Sequence, residues 1–224
     1  MIIIQCAMEM EATPFLQLLP EGHRVESVAN QKFHFGPDFI LAITGIGLAN
    51  AAAGTARALT FAGDADLVIA AGTCGGLHKD IEVGDIAVAT EAIYSMADAT
   101  AFGYAPGQVP GMPVSYFAAR VGALSVASKS GRVISADAFI TAANVDAARE
   151  RFPEAIATDM ETAAMAQTCF AAGVPWVSLR AVSDLCGPAA GQDFHMDGAL
   201  AAHRSFDAVM EFLDKGPVAQ MRPS

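Results

Sequence analysis

"DLVIAAGTCGGL", residues 66–77, decides how the rest of the chain is read. It opens as an apolar run of strand length and closes in a glycine turn. A strand wet on one face would alternate apolar with polar residues. A continuous apolar run fits a strand covered on both faces, as in sheets flanked by helices. The same unit recurs on either side: "MIIIQCA", "FILAITGIG", "VGDIAVATEAIYS", "GRVISADAFI" and "VPWVSLRAVSD" all read as strands. Between them, "EMEATPFLQLL", "LANAAAGTARALTFA", "VDAARERF", "ETAAMAQTCFAAG" and "HMDGALAAHRSFDAVMEFL" read as helices, the fourth ended by a glycine. This alternation predicts an α/β fold: a single three-layer domain over residues 1–224, with a mostly parallel twisted central sheet flanked by helices. The proline- and glycine-rich stretch "FGYAPGQVPGMP", 102–113, reads as a loop that serves as a binding or contact surface.

Composition narrows the class. Of 224 residues, 53% are hydrophobic and 17% charged, which allows a large buried core. A net charge of −11 disfavours nucleic acid and anionic membranes as partners. The 4 cysteines, Cys6, Cys74, Cys169 and Cys186, are far apart and make no CxxC pair, so buried thiols in a reducing cytoplasm are expected. The 5 histidines form no HExxH or HxH pair; neither a metal nor a cofactor is expected. The N-terminus lacks a basic region and meets Glu9 early, unlike a secretory leader. No run is long enough to span a membrane.

The polar residues that stand out lie at predicted strand ends: Glu11, Thr44, Thr73 with Cys74, Asp159 with Glu161, and Ser183 with Asp184. Ligands of open α/β sheets bind outside the carboxyl ends of the strands, so these residues point to one site. Each also has a plain structural reading. Asp159 suits a helix N-cap with Glu161 in the first turn, Asp184 suits a turn cap, and Glu11 suits a solvated first-turn acid.

Taken in order, "AMEMEA", "TGIGLANAA", "AGTCGG" with "VGDIAV", "ADATAFGYAPGQVPG", "SADAFI", "TDMETAAMAQ" and "VPWVSLRAVSD" resemble the 5′-methylthioadenosine/S-adenosylhomocysteine nucleosidases of the nucleoside phosphorylase superfamily. The resemblance runs from about Ile2 to Leu213. It implies hydrolysis of an adenine–ribose N-glycosidic bond in a small-molecule nucleoside. Carried over, it makes Asp184 the general acid at the base and Glu11 the residue that positions and deprotonates water. It makes Glu161, with Met160, the grip on the ribose hydroxyls. Thr73 and Arg180 help hold the water, and Ser183 stands beside the acid. Phe139 and Ile140 take the base; Met8, Ile46 and Phe194 line the 5′-alkylthio pocket. Phe102 and Pro110 close that pocket in a neighbouring subunit, which implies a homodimer. Three stretches depart from the family pattern: Asp159 stands where glutamate is usual, "AAGTCGG" replaces "NTGSAGG", so that Cys74 takes the place of a small apolar residue, and Ala136 replaces a glycine. Alanine there implies a backbone that needs no positive φ.

The chemistry suits these residue types on its own terms. Glycosidic cleavage passes through an oxocarbenium-like sugar and a departing base. One acid protonates the base, one carboxylate binds the hydroxyls beside the forming cation, and one takes a proton from water. A phosphorylase would need cations for phosphate, yet the first 60 residues hold only Arg24, Lys32 and Arg57. A purine nucleoside phosphorylase, a nucleosidase of 6-amino-6-deoxyfutalosine and a non-catalytic nucleoside-binding protein remain the alternatives.

Overall fold

The computed structural model describes residues 1–187 and 190–216, with the backbone alone over 190–197. In chain order the elements are β1 (Ile2–Cys6), α1 (Glu9–Leu16), β2 (Arg24–Val28), β3 (Gln31–Phe35), β4 (Phe39–Ile43), α2 (Leu48–Ala62), β5 (Leu67–Gly76) and β6 (Ile86–Tyr94). A 3-10 turn at Thr100–Phe102 follows, then β7 (Tyr116–Phe117), β8 (Ser128–Ser135), α3 (Val145–Arg151), β9 (Ala155–Asp159), α4 (Thr162–Ala172), β10 (Trp176–Asp184) and α5 (Ala190–Asp214).

The α/β reading holds, with α1 and α5 on one face of a mixed sheet and α2 and α4 on the other. Strand geometry explains the two cores. Ile3, Val68 and Ala70 pack with Ala58 of α2 and Met165 of α4, while Ile4, Leu67 and Ile69 pack with Phe15 of α1 and Val209 of α5. Alternate side chains point to opposite faces, so one unbroken apolar run feeds both layers. Each such Ile, Leu or Val contributes roughly 1.5–3 kcal/mol by leaving water.

The pairings β1–β4, β1–β5, β5–β10, β6–β8 and β8–β9 are parallel. The antiparallel ones join β2–β3–β4 at one edge, β6 to β7, β10 to β6, and β5 to β9. Strand β5 carries β1 and then β9 along one edge and β10 along the other. Following β5, β10, β6, β8 and β9 therefore leads back to β5, and that part of the sheet closes on itself.

Three elements differ from the sequence reading. The β2–β3 hairpin was not foreseen; it turns through Ala29 at φ 55, a position without glycine to mark it. "GRVISADAFI" is a strand only to Ser135; the Ala136 N–H makes a last bond to the Asp159 carbonyl of β9, and the chain then leaves the sheet. Strand β9 precedes α4 almost directly, so the two together look like one apolar run. The glycine stop after "ETAAMAQTCFAA" is as read: Gly173 takes the left-handed conformation at φ 68. Ala136 is absent from the positive-φ residues, in keeping with the loss of its family glycine. All four cysteines are buried free thiols, and among the described residues no helix is long and apolar enough to cross a membrane.

Candidate active site

The site grows from three strand ends. The chain leaves β1 and enters α1, which turns Glu11 back over the strand. Glu11 is buried, 1% exposed, and not the solvated first-turn acid that a plain reading allows. Its Oε2 accepts the Ala7 and Met8 amides at 2.9 and 3.1 Å, and its Oε1 accepts the Thr73 amide at 2.8 Å and the Thr73 hydroxyl at 2.9 Å. Four donors compensate a buried carboxylate. Gly72 makes the approach possible: at φ 128, a Cβ there would lie 2.4 Å from the Glu11 carboxyl carbon.

Asp159, the last residue of β9, stands two residues before the α4 N-cap, which is Glu161 and not Asp159, yet its carboxylate holds the helix start. Its Oδ1 accepts the Glu161 and Thr162 amides at 3.2 and 3.0 Å and the Ser135 hydroxyl at 2.5 Å, and Oδ2 accepts the Thr162 hydroxyl. Those bonds fix the start of α4 and aim Glu161 into the cleft. Glu161 Oε1 accepts the Gly47 amide at 3.0 Å, and Oε2 stands 3.3 Å from Arg180 Nη2. Burial raises the Glu161 carboxyl to about 7, with Arg180 and the Gly47 amide pulling down and Asp159 and Glu11 pushing up.

Arg180 lies in β10, 2% exposed. Its Nη1 donates to the Thr73 carbonyl at 3.0 Å. Its Nε sits 3.3 Å from Asp159 Oδ2, yet neither Nε nor Nη2 meets a carboxylate at hydrogen-bonding geometry. These are ionic contacts that leave two N–H groups directionally unspent. Burial alone would lower its pKa, but Asp159, Glu161 and Glu11 outweigh that and hold the guanidinium protonated.

Asp184 ends β10, 2% exposed. Its Oδ1 accepts the Cys186 amide at 2.9 Å, and its Oδ2 accepts the Ser183 hydroxyl at 3.0 Å. The Cys186 bond closes an Asx-type turn, with Cys186 at φ 57. Uncommon backbone of this kind collects at functional sites.

These groups line one cleft of about 650 Å³, counting its open mouth. It brings together Glu11, Glu161 and Asp184, and with them Thr73, Cys74, Met160, Arg180 and Ser183. Met8, Ile46, Phe139 and Ile140 complete the predicted lining. Phe102, 83% exposed, and Pro110 stand on the surface outside it. The side chain of Phe194 lies outside the described residues. Cys74 is not reactive in this setting: burial pushes its thiol well up, and Sγ points at the Arg180 carbonyl at 3.9 Å.

The sequence profile of the phosphorylase superfamily matches residues 1–214. The 5′-methylthioadenosine/S-adenosylhomocysteine nucleosidase of Staphylococcus carnosus (strain TM300) is 36% identical over 95% of this chain and 99% of its own length. The chain belongs to this nucleosidase family of the phosphorylase superfamily. Two solved structures agree. The Neisseria meningitidis nucleosidase bound to methylthio-immucillin-A superposes with a TM-score of 0.87 at 34% identity, over 96% of this chain and 98% of that one. The Colwellia psychrerythraea nucleosidase bound to adenine gives 0.89 at 30% identity, over 96% and 94%. The futalosine hydrolase of Helicobacter pylori strain 26695 also matches, with a TM-score of 0.87 at 25% identity, over 96% and 97%.

Within this nucleosidase-family chain, the sequence reading missed Cys186 and Gly47. Gly47 was visible as part of a glycine turn, but nothing local ties its amide to a glutamate 114 residues away.

Proposed function

We propose that this protein hydrolyses the adenine–ribose N-glycosidic bond of 5′-methylthioadenosine and S-adenosylhomocysteine, releasing adenine and the 5-thioribose product. The observation that carries the reading is the meeting of three buried acids, each differently held, in one cleft. Asp184 gives a proton to the base as the bond to the sugar breaks. Glu161 accepts the ribose hydroxyls and sets negative charge near the forming cation. Glu11 takes a proton from water as its oxygen bonds the sugar. Of the four donors on Glu11, the Thr73 hydroxyl is the one that rotates freely, so it can turn to share an entering water. Arg180, whose Nη1 holds the Thr73 carbonyl, keeps two further N–H groups unspent beside Asp159 and Glu161 in the same cleft.

Water is favoured over phosphate by the cations. Among the described residues, Arg180 is the one basic side chain lining the cleft, and two carboxylates already flank it. Arg24, Lys32 and Arg57 are paired elsewhere, with Glu26, Glu9 and Gln31. Product analysis tests this. With either substrate the protein should release free adenine and a non-phosphorylated sugar at a rate independent of phosphate. A sugar 1-phosphate formed only with phosphate would remove Glu11 from its role. Faster cleavage of 6-amino-6-deoxyfutalosine would favour the reading suggested by the Helicobacter pylori neighbour.

The same proposal includes cytoplasmic action in methionine salvage, and a homodimer. Phe102, on the 102–113 loop, is 83% exposed and leaves its apolar ring on the surface. Phe102→Ala should raise KM and weaken self-association in sedimentation. Unchanged KM with an intact dimer would mean that the loop serves only its own chain.

A further inference from the structure

A hydrogen bond joins two walls of the cleft. The segment after β8 carries Ala138, Phe139 and Ile140 into the cleft, and the turn before α2 carries Ile46. Between them, Asp137 Oδ1 accepts the Leu48 amide at 2.7 Å, joining residues 89 apart in sequence. The carboxylate sits at the α2 N-terminus, where the helix dipole favours it. The fit is close: a Cβ on Gly47, at φ 106, would lie 2.8 Å from that oxygen. The preceding amide, Gly47 N–H, is the one that Glu161 accepts. Behind the turn, Gly45 N–H bonds the Ala7 carbonyl at 3.0 Å and Asn50 Nδ2 donates to the Ile46 carbonyl at 2.7 Å. The front of the turn is tied across the cleft by the exposed Asp137.

We infer that Asp137 is a positioning residue, a latch that joins the base-side segment 136–140 to the α2 N-terminus and thereby holds the Gly47 amide on Glu161. The inference rests on the nucleosidase reading for the tasks of Phe139 and Glu161. Asp137 touches no reacting group. It acts through the two walls, setting how tightly the base is covered and how Glu161 is hydrogen-bonded.

Opening the latch has a pH signature. Glu161 faces Arg180 of β10, which lowers its pKa, and Asp159 of β9 and Glu11 of α1, which raise it. The Gly47 amide also lowers it. Losing that donor moves the Glu161 carboxyl upward. Glu161 works as the carboxylate, so activity is lost as pH falls through its pKa, and the acidic limb of the profile shifts to higher pH.

The test is Asp137→Ala beside Asp137→Asn, assayed on methylthioadenosine across pH. Both lose the charge, but asparagine keeps an oxygen that can accept the Leu48 amide. In the alanine variant KM should rise about 10-fold, the scale of one hydrogen bond. Its acidic limb should shift up, while kcat on the alkaline side stays near wild type. Asparagine should restore both. Amide hydrogen exchange without substrate gives a second readout: Gly47 and Leu48 should exchange faster in the alanine variant alone. An unmoved limb with unchanged exchange overturns the latch, as does asparagine behaving like alanine. If the wild-type protein cleaves no adenine nucleoside, the nucleosidase reading falls, and the exchange measurement alone decides the latch.

Discussion

Asp184→Asn should lower kcat by about 10²–10⁴-fold, the usual worth of a positioned general acid. KM and the melting temperature should stay near wild type. The substitution keeps the shape of the side chain, and an amide oxygen can still accept the Cys186 N–H that now bonds Oδ1 at 2.9 Å. What disappears is a group able to hand a proton to the departing base. The loss should therefore depend on the leaving group. A ribosyl substrate whose leaving group departs without protonation should be cleaved by the variant almost as well as by wild type. Steady-state kinetics on both substrates separates the cases. Equal loss on the two would assign Asp184 to shaping the site, and full activity on methylthioadenosine would end its role in proton transfer.

Arg180→Met should be the most damaging change to stability. Methionine matches much of the volume but leaves Glu161 without a counter-charge, in a place where Arg180 is 2% exposed. Breaking a buried pair by removing one partner costs roughly 3–5 kcal/mol, because the other charge stays desolvated. The loss should depend on pH in a definite sense. The Glu161 carboxyl already sits at about 7, above its unfolded value, and Arg180 is among the influences holding it down. Without Arg180 it rises further. A group with a raised folded pKa favours the folded state at low pH and loses that contribution as pH climbs through the folded value. The deficit of Arg180→Met should thus be largest in mildly alkaline buffer and shrink toward pH 5. Urea unfolding at both ends of the range tests it, and equal deficits would show that the pairing with Glu161 carries little of the effect.

The alternation of buried strands and helices was legible because two-sided burial writes itself as apolar runs, unbroken in β4 and in the first half of β5. The β2–β3 hairpin hid for the opposite reason. Its strands are half exposed and polar, and its turn is built on Ala29 rather than on a residue that signals positive φ. The acids stood out as charges beside apolar sequence, and Asp159 could be separated from Glu161 as the one that holds the helix start. Cys186 and Asp137 were not legible. One matters through its backbone amide, and the other through a contact made across 89 residues. Periodicity carries neither kind of information.

The ring of strands also governs when the protein can begin to work. Strand β10 supplies Arg180 and Asp184, and it is the last strand to be synthesised. Until it emerges from the ribosome, β5 has a bare apolar edge from Val68 to Gly75, and along Ile86–Val88 β6 is paired by β8 on one side only. A nascent chain therefore has no partial activity to offer and carries an open, sticky strand edge from the completion of β5 until β10 emerges. Insertion of β10 covers that edge and completes the acid set in one late event.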